Sequence, residues 1–216
     1  MVSVDDWGGM RWDTLSRMFI STNNVSIPST PPDLTNTISL GQAFQDSAFN
    51  DADIANWDVS NVKNMYGTFE STYTFNQPLN SWDVSNVTNM SRMFHRAYVF
   101  NQPLNAWGSK TNKVLDMNYM FYGADRFNQD ISSWDVSGVK NMSLMFYGAF
   151  RFNQPINNWN VSSVTNMSSM FTSARDFNQD LSSWAVNPNV VNCSSFRLNA
   201  TSYILPIPNF ISCNPN

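Results

Sequence analysis

The chain has 216 residues, with 12 Lys and Arg against 16 Asp and Glu, a formal charge of −4 and a pI near 4.7. That length suits one repeat domain with no second globular unit, and an acidic chain without a basic run is not expected to bind nucleic acid, whose phosphates need a basic stripe. Charged residues make up only 13 % and aromatic residues 14 %, so stability must come from packed rings and not from ion pairs.

Residues 1–31 read as an N-terminal cap with a first degenerate repeat. The start, MVSVDDWGG, has neither the basic n-region nor the apolar core of a signal peptide. A chain displayed outside a cell would therefore be an excised domain or leave by another route. No stretch approaches the ~20 apolar residues of a membrane span. Residues 32–56 read as a second degenerate repeat, in which Pro32 stands where tryptophan stands later and PDLTNTISL shadows WDVSNVTNM.

Residues 57–184 hold the regular repeats. Phe19, Phe44, Phe69, Phe94, Phe121, Phe146, Phe171 and Phe196 recur every 25 residues, except for one step of 27 between Phe94 and Phe121. Trp57, Trp82, Trp107, Trp134, Trp159 and Trp184 hold a second column, and Phe49, Phe75, Phe100, Phe127, Phe152 and Phe177 a third. Self-similarity at this period marks a solenoid, whose repeats bury their apolar faces against one another. The Trp and Phe columns, Phe94, Phe121, Phe146 and Phe171 foremost, are the expected core. Trp82 and Val84, two apart, predict a short strand with one buried face. Val87, Met90, Phe94 and Ala97, at offsets of three, four and three, predict a short helix or 3₁₀ segment. Phe100-Asn101-Gln102-Pro103 reads as the turn back. The expected fold is an α/β solenoid of about eight coils, with a parallel sheet of short strands on one side and short helical segments on the other. Two extra residues enter at Gly108-Ser109-Lys110-Thr111, where a bulge is expected.

Residues 185–216 read as the last coil and a C-terminal cap. The chain's two cysteines, Cys193 and Cys213, both lie here. They are either two small buried residues or a disulfide that pins the tail over the open end and implies an oxidising compartment.

The string FNQDISSWDVSGVKNMSLMFYGA, Phe127 to Ala149, resembles the repeat of BspA-type leucine-rich-repeat surface proteins. It resembles in particular the bacterial surface repeat of about 25 residues found in listerial and mycoplasma lipoproteins. The resemblance spans Trp7 to Phe196. It implies a leucine-rich-repeat-like solenoid on a cell surface, without a known biochemical activity.

Candidate chemistry is sparse. The single histidine, His95, sits on the expected helical side and reads as solvated, with no nucleophile or second ligand in pattern. No phosphate-cradling glycine loop and no Gly-x-Ser-x-Gly elbow occurs, so neither an enzyme nor a cofactor is expected. The aspartates following the tryptophans, Asp58, Asp83 and Asp135 with Asp33 before them, could form a Ca²⁺ stripe. The favoured reading is that each carboxylate accepts backbone N–H groups of its own turn. Asn76, Asn101, Asn128, Asn153 and Asn178 read as a structural amide ladder. Eight Asn-x-Ser/Thr sequons occur, most generated by the repeated NVTNMS string. Asn24 and Asn199 lie outside it and are the more informative glycosylation candidates.

The expected sheet face is small, polar and uniform, which suits weak multivalent contact with a repetitive polymer such as a glycan. Variation concentrates on the opposite side, at Tyr66, Arg92, Tyr119, Leu144 and Ser169, and around Tyr98 and Arg151. The leading expectation is a non-enzymatic, surface-displayed or extracellular module that mediates adhesion or protein/glycan interaction. A building block of a larger, self-assembling array (filament, envelope layer or virion) and a calcium-binding repeat module are the alternatives.

Overall fold

The computed structural model describes residues 2–9, 11–23, 25–189 and 192–215. Successive repeats stack in parallel. Ser39 bridges Asn64, Asn64 bridges Asn89, Asn89 bridges Asp116, and the series runs on through Asn141 and Asn166 to Asn192. The expected α/β solenoid, with a sheet on one side and helices on the other, does not form. Regular structure among the described residues is one two-residue parallel pair, Val2–Ser3 with Val25–Ser26, and two 3₁₀ segments, Ala52–Asn56 and Asn105–Thr111. Trp82–Val84, expected as a strand, is held between two turns, closed from Trp82 N–H to Leu79 O and from Val87 N–H to Val84 O.

One repeat shows why neither regular element can grow. The N–H groups of Met65, Gly67, Phe69 and Ser71 donate forward to the carbonyls of Asn89, Ser91, Met93 and His95 in the next repeat. Between them, the N–H groups of Thr68, Glu70 and Thr72 donate back three residues, to Met65, Gly67 and Phe69. Gly67 and Ser71 have φ of 57° and 56°. The same pair of left-handed positions flanks the ring in the following repeats, at Arg92 and Arg96, Tyr119 and Gly123, Leu144 and Gly148, and Ser169 and Ser173. A left-handed residue every fourth position ends any right-handed helix. The local turns consume every second N–H, which leaves a single bridging residue per repeat. The 3-4-3 apolar spacing marks which side chains turn inward; it does not describe the backbone path.

The core is a set of ring columns. Phe44, Phe69, Phe94, Phe121, Phe146 and Phe171 stack in series with centroids 5.5–5.8 Å apart. Each also lies 3.9–4.0 Å from a ring of the column Phe49, Phe75, Phe100, Phe127, Phe152 and Phe177. The six tryptophans from Trp57 to Trp184 are buried. From Trp82 onward each indole N–H donates to a carbonyl of the preceding repeat: Ile54, Leu79, Leu104, Ile131 and Ile156. The buried indole N–H groups of Trp7, Trp12 and Trp57 make no hydrogen bond, because they stand where the regular stack begins.

The extra residues at Gly108–Thr111 are absorbed and not extruded. They lie in the 3₁₀ segment Asn105–Thr111, with the chain turned at Gly108. Buried Thr111 places its hydroxyl within hydrogen-bond distance of Gly108 O and Asp135 O.

The last repeat departs from the sequence register. Its bridge steps 26 residues, from Asn166 to Asn192, so Phe196 takes the place of Met170 and Arg197 that of Phe171. Phe196 accordingly meets Phe171 edge-on, at an interplanar angle of 78°. The eighth phenylalanine of the 25-residue series thus belongs to the column of Met93, Met120, Met145 and Met170. Among the described residues, no helix is long and apolar enough to cross a membrane.

Candidate functional site

The aspartates that follow the tryptophans are engaged with their own turns. Asp58 accepts from Ser60 N–H at 3.0 Å, Asp83 from Ser85 N–H at 3.2 Å and Asp135 from Ser137 N–H at 3.0 Å. Burial opposes ionisation of Asp83, but the Ser85 hydrogen bonds and the Lys110 ammonium, 3.7 Å away, hold it below the usual carboxylate range. Among the described residues, no group of three or more His, Cys, Asp or Glu side chains is placed to hold a metal ion.

The asparagines of the Phe-Asn-Gln turns form a continuous ladder. Asn76 Oδ1 accepts from Asn101 N–H, Asn101 from Asn128, Asn128 from Asn153 and Asn153 from Asn178, each at 2.9 Å. Asn178 closes the series by accepting from the N–H groups of Ile204 and Leu205. Cys193 and Cys213 are joined in a disulfide. Cys193 is buried in the place of Met167, so the bond anchors the tail to the core of the last repeat, where Phe210 also packs edge-on against Phe196.

His95 is not solvated. The chain's one histidine and one glutamate meet, with His95 Nδ1 3.2 Å from Glu70 Oε1 and Arg92 Nη1 at the same distance from that oxygen. Both His95 and Glu70 are buried. Burial alone would raise the Glu70 carboxyl, but His95 and then Arg92 outweigh it and hold Glu70 below the usual carboxylate range. Arg92 also lies over the Tyr119 ring at 4.6 Å, and His95 stacks on Tyr122 at 4.8 Å. Glu70 and His95 each follow the column phenylalanine of adjacent repeats, so aligning the repeats brings them together; reading along the chain does not.

A concave surface runs along this same flank. A groove of about 380 Å³ passes between Tyr98, Tyr122, Tyr147 and Phe150, over Gly123 and Gly148. It adjoins a second cavity of about 470 Å³, bounded by Arg126, Arg151, Arg175 and Asp176, and the two share Asp125 and Phe150. Tyr122 and Tyr147 stack at 4.7 Å, and the Arg175 guanidinium lies 4.3 Å over the Phe150 ring. Burial pushes the Asp125 carboxyl up, with Arg175 opposing it. Tyr98 and Arg151 stood out in the sequence as variable positions. The doubled string Met-Phe-Tyr-Gly-Ala, at 120–124 and 145–149, is the signal that marks the groove floor.

Asn199 is exposed at a left-handed position, and Asn24 lies outside the described residues. Asn86, in contrast, donates to Ser60 O, and Asn141 and Asn166 are bridging residues.

No curated protein and no solved structure matches the chain. A family model does, over residues 13–113 and again over 108–210. Those two matches join at the inserted residues and cover almost the whole stack, so the chain belongs to the family described as Mycoplasma protein of unknown function, DUF285.

Proposed function

We propose that the chain is a non-enzymatic, surface-displayed module that mediates adhesion through protein or glycan contact. The observation that carries this reading is the groove along the tyrosine flank. Tyr98, Asp125, Phe150 and Arg175 hold one position in four successive repeats and line the groove and the cavity it adjoins. A surface made from one position copied along a stack suits a partner that is itself repetitive, because weak contacts then add. Display outside the cell is supported by the resemblance of the repeat to that of BspA-type surface proteins and by the Cys193–Cys213 bond, which suits an oxidising exterior.

Beads coated with the chain should be retained on cultured cells or extracellular matrix well above beads coated with albumin. Equal retention of the two would sink the reading. A second reading, a building block of a larger assembly, is favoured by the apolar side chains around the C-terminal tail. Ile204 and Ile211 are 81 % and 78 % exposed, with Leu198 and Leu205 nearby in sequence and also exposed, and such patches mark contact surfaces. Light scattering should then give a mass that rises with concentration; one constant mass counts against it.

A further inference from the structure

We propose that the groove over Gly123 and Gly148 binds a linear acidic glycan, lying along the stack with its sugar rings against the tyrosine flank. The proposal rests on the adhesion reading and gives that partner a chemistry.

The first ground is the glycines themselves. Gly123 and Gly148 have φ of 62° and 63°, yet Arg96 and Ser173 hold the same position in the flanking repeats at 56° and 59°. The backbone therefore accepts side chains here, and glycine is not required for conformation. What glycine alone supplies is vacant space. A Cβ on Gly148 would reach no closer than 3.9 Å to any neighbour, and one on Gly123 no closer than 3.6 Å. The floor is open by sequence choice in these two repeats.

The second ground is the walls. Tyr122 and Tyr147 are half-buried, Tyr98 is exposed, and Phe150 is half-buried beneath Arg175. Tyr122 has His95 stacked on one side and Tyr147 on the other, so this flank meets a sugar with ring edges and phenol hydroxyls, which carry positive edge potential and both donate and accept hydrogen bonds. Within the groove Tyr122 and Tyr147 repeat at 4.7 Å along the stack, a regular step that a polymer lying along the stack can meet unit by unit.

The third ground is charge. The whole chain is net negative, but the groove and its neighbour gather Arg96, Arg126, Arg151 and Arg175 against only Asp125 and Asp176. Guanidinium forks match carboxylate and sulfate, and the two carboxylates are acceptors for sugar hydroxyls.

The test is calorimetric titration of the full chain with hyaluronan oligosaccharide (carboxylate only), chondroitin sulfate oligosaccharide (carboxylate and sulfate) and a neutral cello-oligosaccharide. At least one acidic probe should bind, more weakly as salt rises, and the difference between the first two identifies the acid group read. The Gly123→Ser, Gly148→Ser variant should lose tenfold or more in affinity with its melting temperature unchanged, since serine occupies this position at 173. Arg96→Gln with Arg175→Gln should weaken the acidic probes alone. No binding by either acidic probe, equal binding of the neutral one, or full binding by the glycine variant would overturn the proposal. Beads carrying the glycine variant that still adhere to cells would overturn the groove assignment and leave the adhesion reading standing. Glycan binding by a chain whose beads do not adhere would do the reverse.

Discussion

Glu70 is the residue whose protonation state the fold controls most visibly. Its carboxyl is held low by His95 and Arg92 against the cost of burial. A depressed acid stabilises the folded state above its unfolded pKa, and that contribution is lost as pH falls through the lower, folded value. Melting temperature should therefore drop below the ordinary Glu range, about pH 4.3, and Glu70→Gln should flatten that limb. Removing this one carboxylate should cost about 1–3 kcal/mol near neutrality, as for a hydrogen-bonded charged partner. Asp116 behaves in the opposite sense. It holds a bridge position that is Asn in the two repeats on either side, Asn64, Asn89, Asn141 and Asn166, and burial pushes its carboxyl up. Asp116→Asn keeps the acceptor for the Asn118 N–H and should stabilise the protein near neutrality by less than about 1 kcal/mol, a figure kept small because the side chain is only half-buried. The folded state binds the Asp116 proton more tightly, so that gain should shrink as pH falls toward the carboxylate range; an advantage constant with pH would contradict it. Both residues were illegible to a reading along the chain, because their meaning lies in neighbours one repeat away.

At the scale of the element, the sequence named the right side chains and the wrong backbone. The ring columns were legible because each is copied at a fixed interval, and all ten core residues singled out from the columns are buried. The strand and helix were not, since apolar spacing cannot distinguish a helix from overlapping turns whose left-handed residues happen to be Ser, Arg, Tyr or Leu. Glycine would have betrayed those positions, yet only Gly67, Gly123 and Gly148 announce them within the regular repeats. The tryptophans give a direct test of stack position. Trp82→Ala should cost about 3–5 kcal/mol, as large aromatic truncations do. Trp82→Phe keeps most of the ring but strands the Ile54 carbonyl, at about 1–3 kcal/mol for the lost hydrogen bond. Trp57→Phe gives up an indole N–H with no partner and should cost clearly less. Urea unfolding of the two Phe variants checks the order; equal losses would mean that the indole bonds contribute nothing.

For the whole molecule, stability is set by contacts between neighbours and by what closes the ends. The Cys193–Cys213 bond spans 20 residues, a loop whose closure contributes about 3 kcal/mol. Reduction should lower the melting temperature and expose the last repeat first, seen as early hydrogen exchange near Phe196; an unchanged melting curve would show that the tail holds without it. The forward-pointing N–H groups give the stack a sense of direction. Their peptide dipoles align, about 3.5 D each, with the positive pole toward the C-terminal end, opposite to an α-helix. The N–H groups of Lys63, Thr88, Leu115, Lys140 and Thr165 point the other way, to the preceding repeat, and offset this only in part, so contact between like poles is the less favourable one. A head-to-tail contact between copies would match most donors to carbonyls, and one that does not close into a ring would run on as a filament. Thr14, Ser16 and Met18 carry the acceptor positions of the first repeat, and Ser195, Arg197 and Asn199 the donor positions of the last. The tail that returns over Phe196, with Pro215 accepting its N–H, lies at that donor pole, so backbone pairing there would first have to displace it, whereas contact through its exposed apolar side chains would not.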